Sequence, residues 1–210
     1  MKKLTLVTLL AGLMATSVAM AIPNSGTIVA YQSGGGLSAG NGGEFTAYVD
    51  GSSAGFQTWC IELNNEFSPG TTYNYTLGQT THDNPAGASP LKLGTAWLVN
   101  QWCDGAYSST LNVAEFQAAL WYFQLQGTLS GVFAPYDVTA GGSNIYVAAA
   151  LAALPGMTGN ASADAYGIQV IQVENGQDWV TTPDGGTTIL LLGIGLVGVG
   201  LVSRRFAVAR

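Results

Sequence analysis

Short segments in which apolar and polar residues alternate are the first pattern along the chain. Alternation of this kind predicts β-strands that bury one face, and it covers residues 44–49, 56–63, 73–77 and 166–173. The Gly- and Ser-rich residues 50–55 lie between the first two predicted strands and predict the turn of a hairpin.

The central part of the chain changes to a helical period. Residues 91–102 and 143–154 predict two helices, the second of which is rich in Ala and stops at Pro155. A further helix is predicted to begin after Asn112, an N-cap with Glu115 three residues later, and to stop near Gly127. The order strands, helices, strand predicts an α+β domain, in which a sandwich-like or barrel-like sheet carries a helical insertion.

A polar residue, Gln117, interrupts the apolar face of the helix that follows Asn112. The apolar residues of this face recur at helical spacing and are Val113, Phe116, Leu120 and Phe123. A buried carboxamide must be compensated, and ordinary hydrogen bonds can do this. A second interpretation pairs Gln117 with Cys60 of the strand predicted over 56–63, because a thiol held against a carboxamide can displace ammonia and form an internal thioester.

Both ends of the chain predict export. Residues 1–21 have the pattern of a signal peptide, with Lys2 and Lys3 before an apolar core, so signal peptidase is expected to cleave after Ala21. Near the other end, an apolar stretch over 187–202 is followed by arginines and is at the lower limit of membrane-spanning length. The predicted organisation is therefore a signal peptide (1–21), an extracellular domain (22–180) and a C-terminal segment with a membrane helix (181–210).

The charge of the central region limits its partners. Between residues 22 and 182, eleven acidic residues stand against one lysine, Lys92, which gives a charge of about −10. This charge argues against nucleic acid and against anionic membrane surfaces. The scarcity of lysine also suits a thioester, because amines destroy that bond.

No pattern in the chain indicates an enzyme, a metal site or a cofactor. Gly51 to Gly55 match the spelling of a hydrolase nucleophile elbow, but a strand rather than a helix is predicted to follow them. The only histidine, His82, lies beside Asp83 in a polar stretch that predicts a solvated loop. We therefore expect neither hydrolysis nor another catalytic activity.

Two short motifs resemble a known family. Trp59-Cys60-Ile61-Glu62 and the run from Phe116 through Gln117 to Trp121 resemble the two motifs of bacterial Cys-Gln thioester domains. The resemblance implies that Cys60 is the leaving thiolate and that Gln117 supplies the acyl carbon. Trp59, Phe116 and Trp121 are expected to form the wall of the pocket.

The C-terminal segment resembles the PEP-CTERM class of sorting signals, in its Val-Pro-Asp-Ser-Gly variant. The motif itself is Pro183-Asp184-Gly185-Gly186, with Gly185 in place of the serine. This resemblance implies a Gram-negative bacterium, a membrane-anchored precursor and processing by an exosortase-type enzyme. The mature protein would then lie on the cell surface or in the extracellular matrix.

Together, the two resemblances imply an adhesin-like protein that attaches covalently to an amine or hydroxyl of a surface polymer or protein. The two cysteines of the chain also allow a different function. Exported proteins commonly pair their cysteines, and a disulfide between Cys60 and Cys103 would make the chain a non-reactive structural matrix protein.

Overall fold

The structure is a computed structural model of the 210-residue chain. It describes residues 22–33, 42–63, 65–82, 88–107, 112–125, 135–139, 141–153, 159–161 and 165–181. The predicted signal peptide and the C-terminal segment from residue 182 onward lie outside the described residues.

Six antiparallel strands form one sheet in the order β3-β2-β1-β4-β5-β6. The strands are β1 (Ser25–Gln32), β2 (Glu44–Val49), β3 (Phe56–Trp59), β4 (Thr72–Gly78), β5 (Val170–Val173) and β6 (Trp179–Val180). Cys60, directly after β3, forms an antiparallel bridge with Trp179 of β6. The two outer strands therefore meet, and the sheet is a nearly closed barrel, which removes most of its open edge.

Strand β1 was not predicted from the sequence, yet it lies at the centre of the sheet. It pairs with β2 on one side and with β4 on the other. Its buried positions alternate, with Ile28 and Ala30 facing the core. The sequence signal for β1 was weak. The strand begins four residues after the predicted signal peptide, and Ile28 and Val29 are its only large aliphatic residues.

The other predicted strands are confirmed with shorter bounds in two cases. The strand predicted over 56–63 ends as β3 at Trp59, because the chain then crosses to β6 at the barrel seam. The strand predicted over 166–173 begins only at Val170, and a 3₁₀ turn over Ala165–Gly167 precedes it.

Three helices follow the first four strands, as predicted. They are α1 (Leu93–Cys103), α2 (Val113–Phe123) and α3 (Ile145–Ala153). Asn112 caps α2 as expected, since its side-chain oxygen accepts a hydrogen bond from the Glu115 N–H at 3.2 Å. Gln124 ends the helix, and the predicted stop, Gly127, lies outside the described residues.

The helices and the sheet share one core. Its largest fully buried side chains are Trp59, Trp121, Trp179, Tyr146, Phe116, Phe123, Ile28, Ile61, Leu91, Leu98 and Leu120. Six of these eleven belong to α2 or to the ends of β3 and β6, so the centre of the core lies where α2 meets the barrel seam. Among the described residues, no helix has the length and apolar character that a membrane crossing requires.

Asn144 links the start of α3 to α2 and to the segment that contains Tyr136. Its side-chain oxygen accepts from the N–H groups of Tyr146 and Val147 at 3.1 and 3.0 Å, which caps α3. Its amide group donates to the carbonyl oxygens of Glu115 and Tyr136, both at 3.1 Å. All four bonds are made by a side chain that is almost fully buried.

We predict that Asn144→Ala lowers the free energy of unfolding by about 2 to 4 kcal/mol, since it removes a helix cap and leaves buried backbone groups without partners. Chemical denaturation of the purified protein measures this. Asn74→Ala is the matched control, because Asn74 makes an exposed side-chain bond to Glu174 at 3.0 Å and should cost no more than about 0.5 kcal/mol. Equal effects of the two substitutions would contradict the prediction.

Candidate functional site

Cys60 lies at the barrel seam, in the first position after β3. Its side chain is fully buried, and its backbone bridges to Trp179. The next residue continues the seam, since the Ile61 N–H donates to the Asp178 carbonyl oxygen at 3.1 Å. The chain is buried continuously from Thr58 to Ile61, and this places the Cys60 thiol in the interior of the domain.

Gln117 of α2 contacts the backbone of Cys60, and its bond with the thiol stays a prediction. Its amide nitrogen donates to the Cys60 carbonyl oxygen at 2.7 Å. Its side-chain oxygen accepts from the Gly43 N–H at 2.9 Å. The side chain is fully buried, so both ends of the carboxamide are compensated by backbone groups, one from each side of the site.

Gly43 connects the glutamine to the thiol. Its N–H donates to the Gln117 oxygen at 2.9 Å, and the same N–H acts on the pKa of the Cys60 thiol. Burial raises the pKa of the Cys60 thiol well above its ordinary value. The Gly43 N–H lowers this pKa only in part, and the Glu62 carboxylate raises it further. The thiol is therefore protonated at neutral pH.

A second glutamine, Gln177, was missed by the sequence analysis. The Cys60 thiol donates to the side-chain oxygen of Gln177 at 2.6 Å. The amide nitrogen of Gln177 donates in turn to the Glu62 carbonyl oxygen. Gln177 is fully buried just before β6, in a stretch that the sequence pattern placed at the end of the domain. The sequence carried one signal for Gln177. It is a polar residue that stands two positions before the apolar pair Trp179 and Val180.

The aromatic residues expected to form the pocket wall lie around this group. Trp59, Phe116 and Trp121 are all fully buried. The rings of Trp59 and Phe116 have centroids 4.6 Å apart, and Trp102 packs edge-on against Trp59 at 5.5 Å. Trp59 therefore belongs to a buried aromatic cluster directly before Cys60 in the chain.

Trp121 packs against the backbone that carries the Gly43 donor. A Cβ atom added to Gly42 would lie 2.4 Å from Cζ2 of Trp121 and 3.0 Å from Cγ of Gln117. Only glycine fits between the two side chains. The close approach places the next N–H, that of Gly43, against the Gln117 oxygen.

The two cysteines are both free in the structure. Cys60 is buried at the seam, whereas Cys103 is exposed at the end of α1. The alternative disulfide between them stays a prediction.

The histidine has a different neighbour from the one that the sequence suggested. Nδ1 of His82 lies 3.9 Å from a carboxylate oxygen of Asp178, and Asp83 lies outside the described residues. Asp178 is fully buried and accepts from the Val173 N–H at 2.7 Å. Gly51 and its neighbours form the turn between β2 and β3, as predicted. Among the described residues, no group of three or more side chains could hold a metal ion.

Comparison with protein families assigns the C-terminal segment. Residues 183–206 match the VPDSG-CTERM motif, which covers the predicted sorting motif, the apolar stretch and the two arginines. This match supports a sorting signal of the PEP-CTERM type and indicates an exported, surface-directed protein that an exosortase-like system processes. No curated protein and no solved structure matched the chain.

We predict that Gly42→Ala destabilises the domain by about 1 to 3 kcal/mol, because the added methyl group overpacks the contact with Trp121. Trp121→Phe removes the ring atoms that would collide. The double variant should therefore be more stable than the sum of the two single changes predicts, by about 0.5 to 3 kcal/mol. Denaturation of the three variants and the unaltered protein measures this coupling, and strictly additive effects would show that the contact is not tight.

Proposed function

We propose that this exported protein carries an internal thioester between Cys60 and Gln117 and attaches through it to a surface polymer or protein. The observation that carries the proposal is the carboxamide of Gln117, held on the Cys60 carbonyl and on the Gly43 N–H inside a fully buried site. The two sequence motifs that resemble bacterial thioester domains support the same pairing.

The contacts suit each part of the acyl transfer. The Cys60 sulfur attacks Cδ of Gln117, and the negative charge that develops on the side-chain oxygen faces the Gly43 N–H, which acts as an oxyanion donor. The C–N bond breaks, and ammonia leaves with the thiol proton. One sulfur–carbon bond replaces one nitrogen–carbon bond, so no oxidant is needed.

Attachment reverses the roles of these groups. An amine or hydroxyl of the target attacks the same carbon, the C–S bond breaks, and the Cys60 sulfur leaves as a thiolate that takes up the proton of the nucleophile. The product is an amide or an ester bond between Gln117 and the target. Each protein reacts once, so this is a crosslinking function and not turnover.

The environment favours a long-lived bond. A leaving thiol with a raised pKa leaves slowly, and burial raises the pKa of the Cys60 thiol. Trp59, Phe116 and Trp121 are fully buried, and as the proposed pocket wall they would exclude water. Lys92, the only lysine between residues 22 and 182, has its ammonium group bound to Asn160 at 2.8 Å.

A structural matrix protein remains the second candidate, and it needs the Cys60–Cys103 disulfide. The burial of Cys60 and the exposed position of Cys103 favour the thioester over this bridge. The two candidates differ in mass. A thioester loses ammonia, about 17 Da, whereas a disulfide loses two hydrogens, about 2 Da.

We predict that the exported protein is about 17 Da lighter than its sequence between its own termini, because Gln117 has lost ammonia. Methylamine should then add about 31 Da at Gln117 and release a thiol at Cys60. Intact mass and peptide mapping measure both changes, and mapping also shows whether the acyl carbon belongs to Gln117. A full sequence mass with two free thiols would end the proposal.

Single substitutions supply the controls for this measurement. Cys60→Ala and Gln117→Ala should each abolish the mass deficit, while Cys103→Ala should keep it. Gln124→Ala is the matched glutamine control, because Gln124 is also fully buried and bonds backbone at both ends, to Lys92 at 3.1 Å and Pro90 at 3.0 Å. A deficit that disappears in the Gln124 variant as well would indicate a general loss of fold.

We further propose that an exosortase-type enzyme removes the C-terminal segment from a membrane-anchored precursor in a Gram-negative host. The match over residues 183–206 supports this order of events. We predict that deletion of the host exosortase leaves a longer, membrane-associated form that retains Arg210. C-terminal peptide mapping in both strains measures this, and Arg210 in the mature protein of both strains would show that the segment is only an anchor.

A further inference from the structure

We infer that Gln177 is a positioning residue that presents the Cys60 thiol to Gln117. The inference rests on the proposed thioester and concerns how that bond forms. Three buried side chains meet at the seam, and each of the two glutamines bonds a different part of Cys60. Gln117 bonds the backbone carbonyl of Cys60, and Gln177 bonds its thiol.

The carboxamide of Gln177 is fixed at both ends. Its oxygen accepts from the Cys60 thiol at 2.6 Å, and its nitrogen donates to the Glu62 carbonyl oxygen. The backbone beside it is also held, because the Asp178 N–H donates to the Glu62 carboxylate at 3.0 Å. The side chain cannot turn without breaking a buried hydrogen bond, so the orientation of the thiol acceptor is set by the fold.

This orientation decides which face of the sulfur is nucleophilic. The S–H bond points to Gln177, so the lone pairs of the sulfur are left for its other neighbours. Gln117 is a neighbour of Cys60, because its amide nitrogen donates to the Cys60 carbonyl oxygen at 2.7 Å. In the role proposed for it, Gln177 holds the S–H bond so that a sulfur lone pair is free to attack the Gln117 carbon.

A carboxamide oxygen accepts a hydrogen bond but does not remove the proton at neutral pH. The hydrogen bond to Gln177 orients the thiol before the attack; as the sulfur–carbon bond forms, the thiol proton is transferred to the nitrogen of Gln117, which leaves as ammonia. The side chain of Gln177 is unchanged at the end of the step. It touches the reacting thiol without exchanging atoms with it, which separates its role from that of Gln117.

The rate of ring closure is the quantity to measure. Treating the exported protein with concentrated ammonia should open the thioester, regenerate the Gln117 carboxamide and free the Cys60 thiol. After the ammonia is removed, recovery of the deficit of about 17 Da follows closure directly. Gln177→Met keeps the length of the side chain and removes the acceptor, so we expect closure to slow about 10- to 100-fold, as expected for the loss of one buried hydrogen bond.

A purely structural role is tested by the conservative variant. Gln177→Glu retains an oxygen acceptor for the thiol but loses the donor to the Glu62 carbonyl, so it weakens the seam and preserves the positioning. We expect it to close at least about tenfold faster than Gln177→Met, since it keeps that hydrogen bond. If Gln177 acted only on stability, both variants would close at similarly low rates. Gln124→Met, at a buried glutamine that does not bond the thiol, should close at the rate of the unaltered protein.

A measurement on the unaltered side chain keeps the inference testable if the Met variant fails to fold. In the ammonia-opened Cys103→Ser protein, Cys60 is the only thiol, and its S–H stretching band in the Raman spectrum should lie at the lower frequency of a hydrogen-bonded thiol. A band at the frequency of a free thiol, equal closure rates in the Met and Glu variants, or a crosslink that maps to Gln177 would each overturn the inference. Absence of any mass deficit in the unaltered protein would instead refute the thioester itself.

Discussion

The carboxamide of Gln117 joins the helical layer to the sheet, and the geometry of the site depends on it. Its two hydrogen bonds, to Cys60 and from Gly43, cross from α2 to the barrel seam and to the residue before β2. A buried carboxamide without such partners would cost several kcal/mol, roughly 1 to 3 per unsatisfied group. The fold therefore fixes the distance between glutamine and cysteine for reasons of stability, and the proposed acyl transfer would use that distance.

The contacts that close the barrel also fix the position of the Cys60 thiol. Three successive contacts form the seam: Thr58 to the Val180 carbonyl at 2.6 Å, Cys60 opposite Trp179, and Ile61 to the Asp178 carbonyl at 3.1 Å. Cys60 is the middle member. A strand pair that slipped by one residue would turn the thiol to the opposite face, so the same register that closes the sheet also directs the sulfur into the core.

The sequence predicted the parts of this arrangement that depend on local patterns. Alternation found β2 and the start of β3, and Asn112 with Glu115 found the beginning of α2, because capping and period are properties of neighbouring residues. Gln177 and Gly43 were not found. Each contributes through a partner far along the chain, 117 residues from Cys60 in the first case and 74 from Gln117 in the second, and such pairings follow from strand order rather than from spacing.

Burial sets a condition on the proposed attachment. Cys60 and Gln117 are both fully buried, so an amine on a polymer cannot reach the acyl carbon in this conformation. The same burial favours formation, since ring closure needs only groups already inside the domain and benefits from the absence of water. Formation and attachment therefore require different states of the seam. Trp121 packs against Gly42 beside Cγ of Gln117, so the proposed attachment would require movement of buried side chains next to the acyl group.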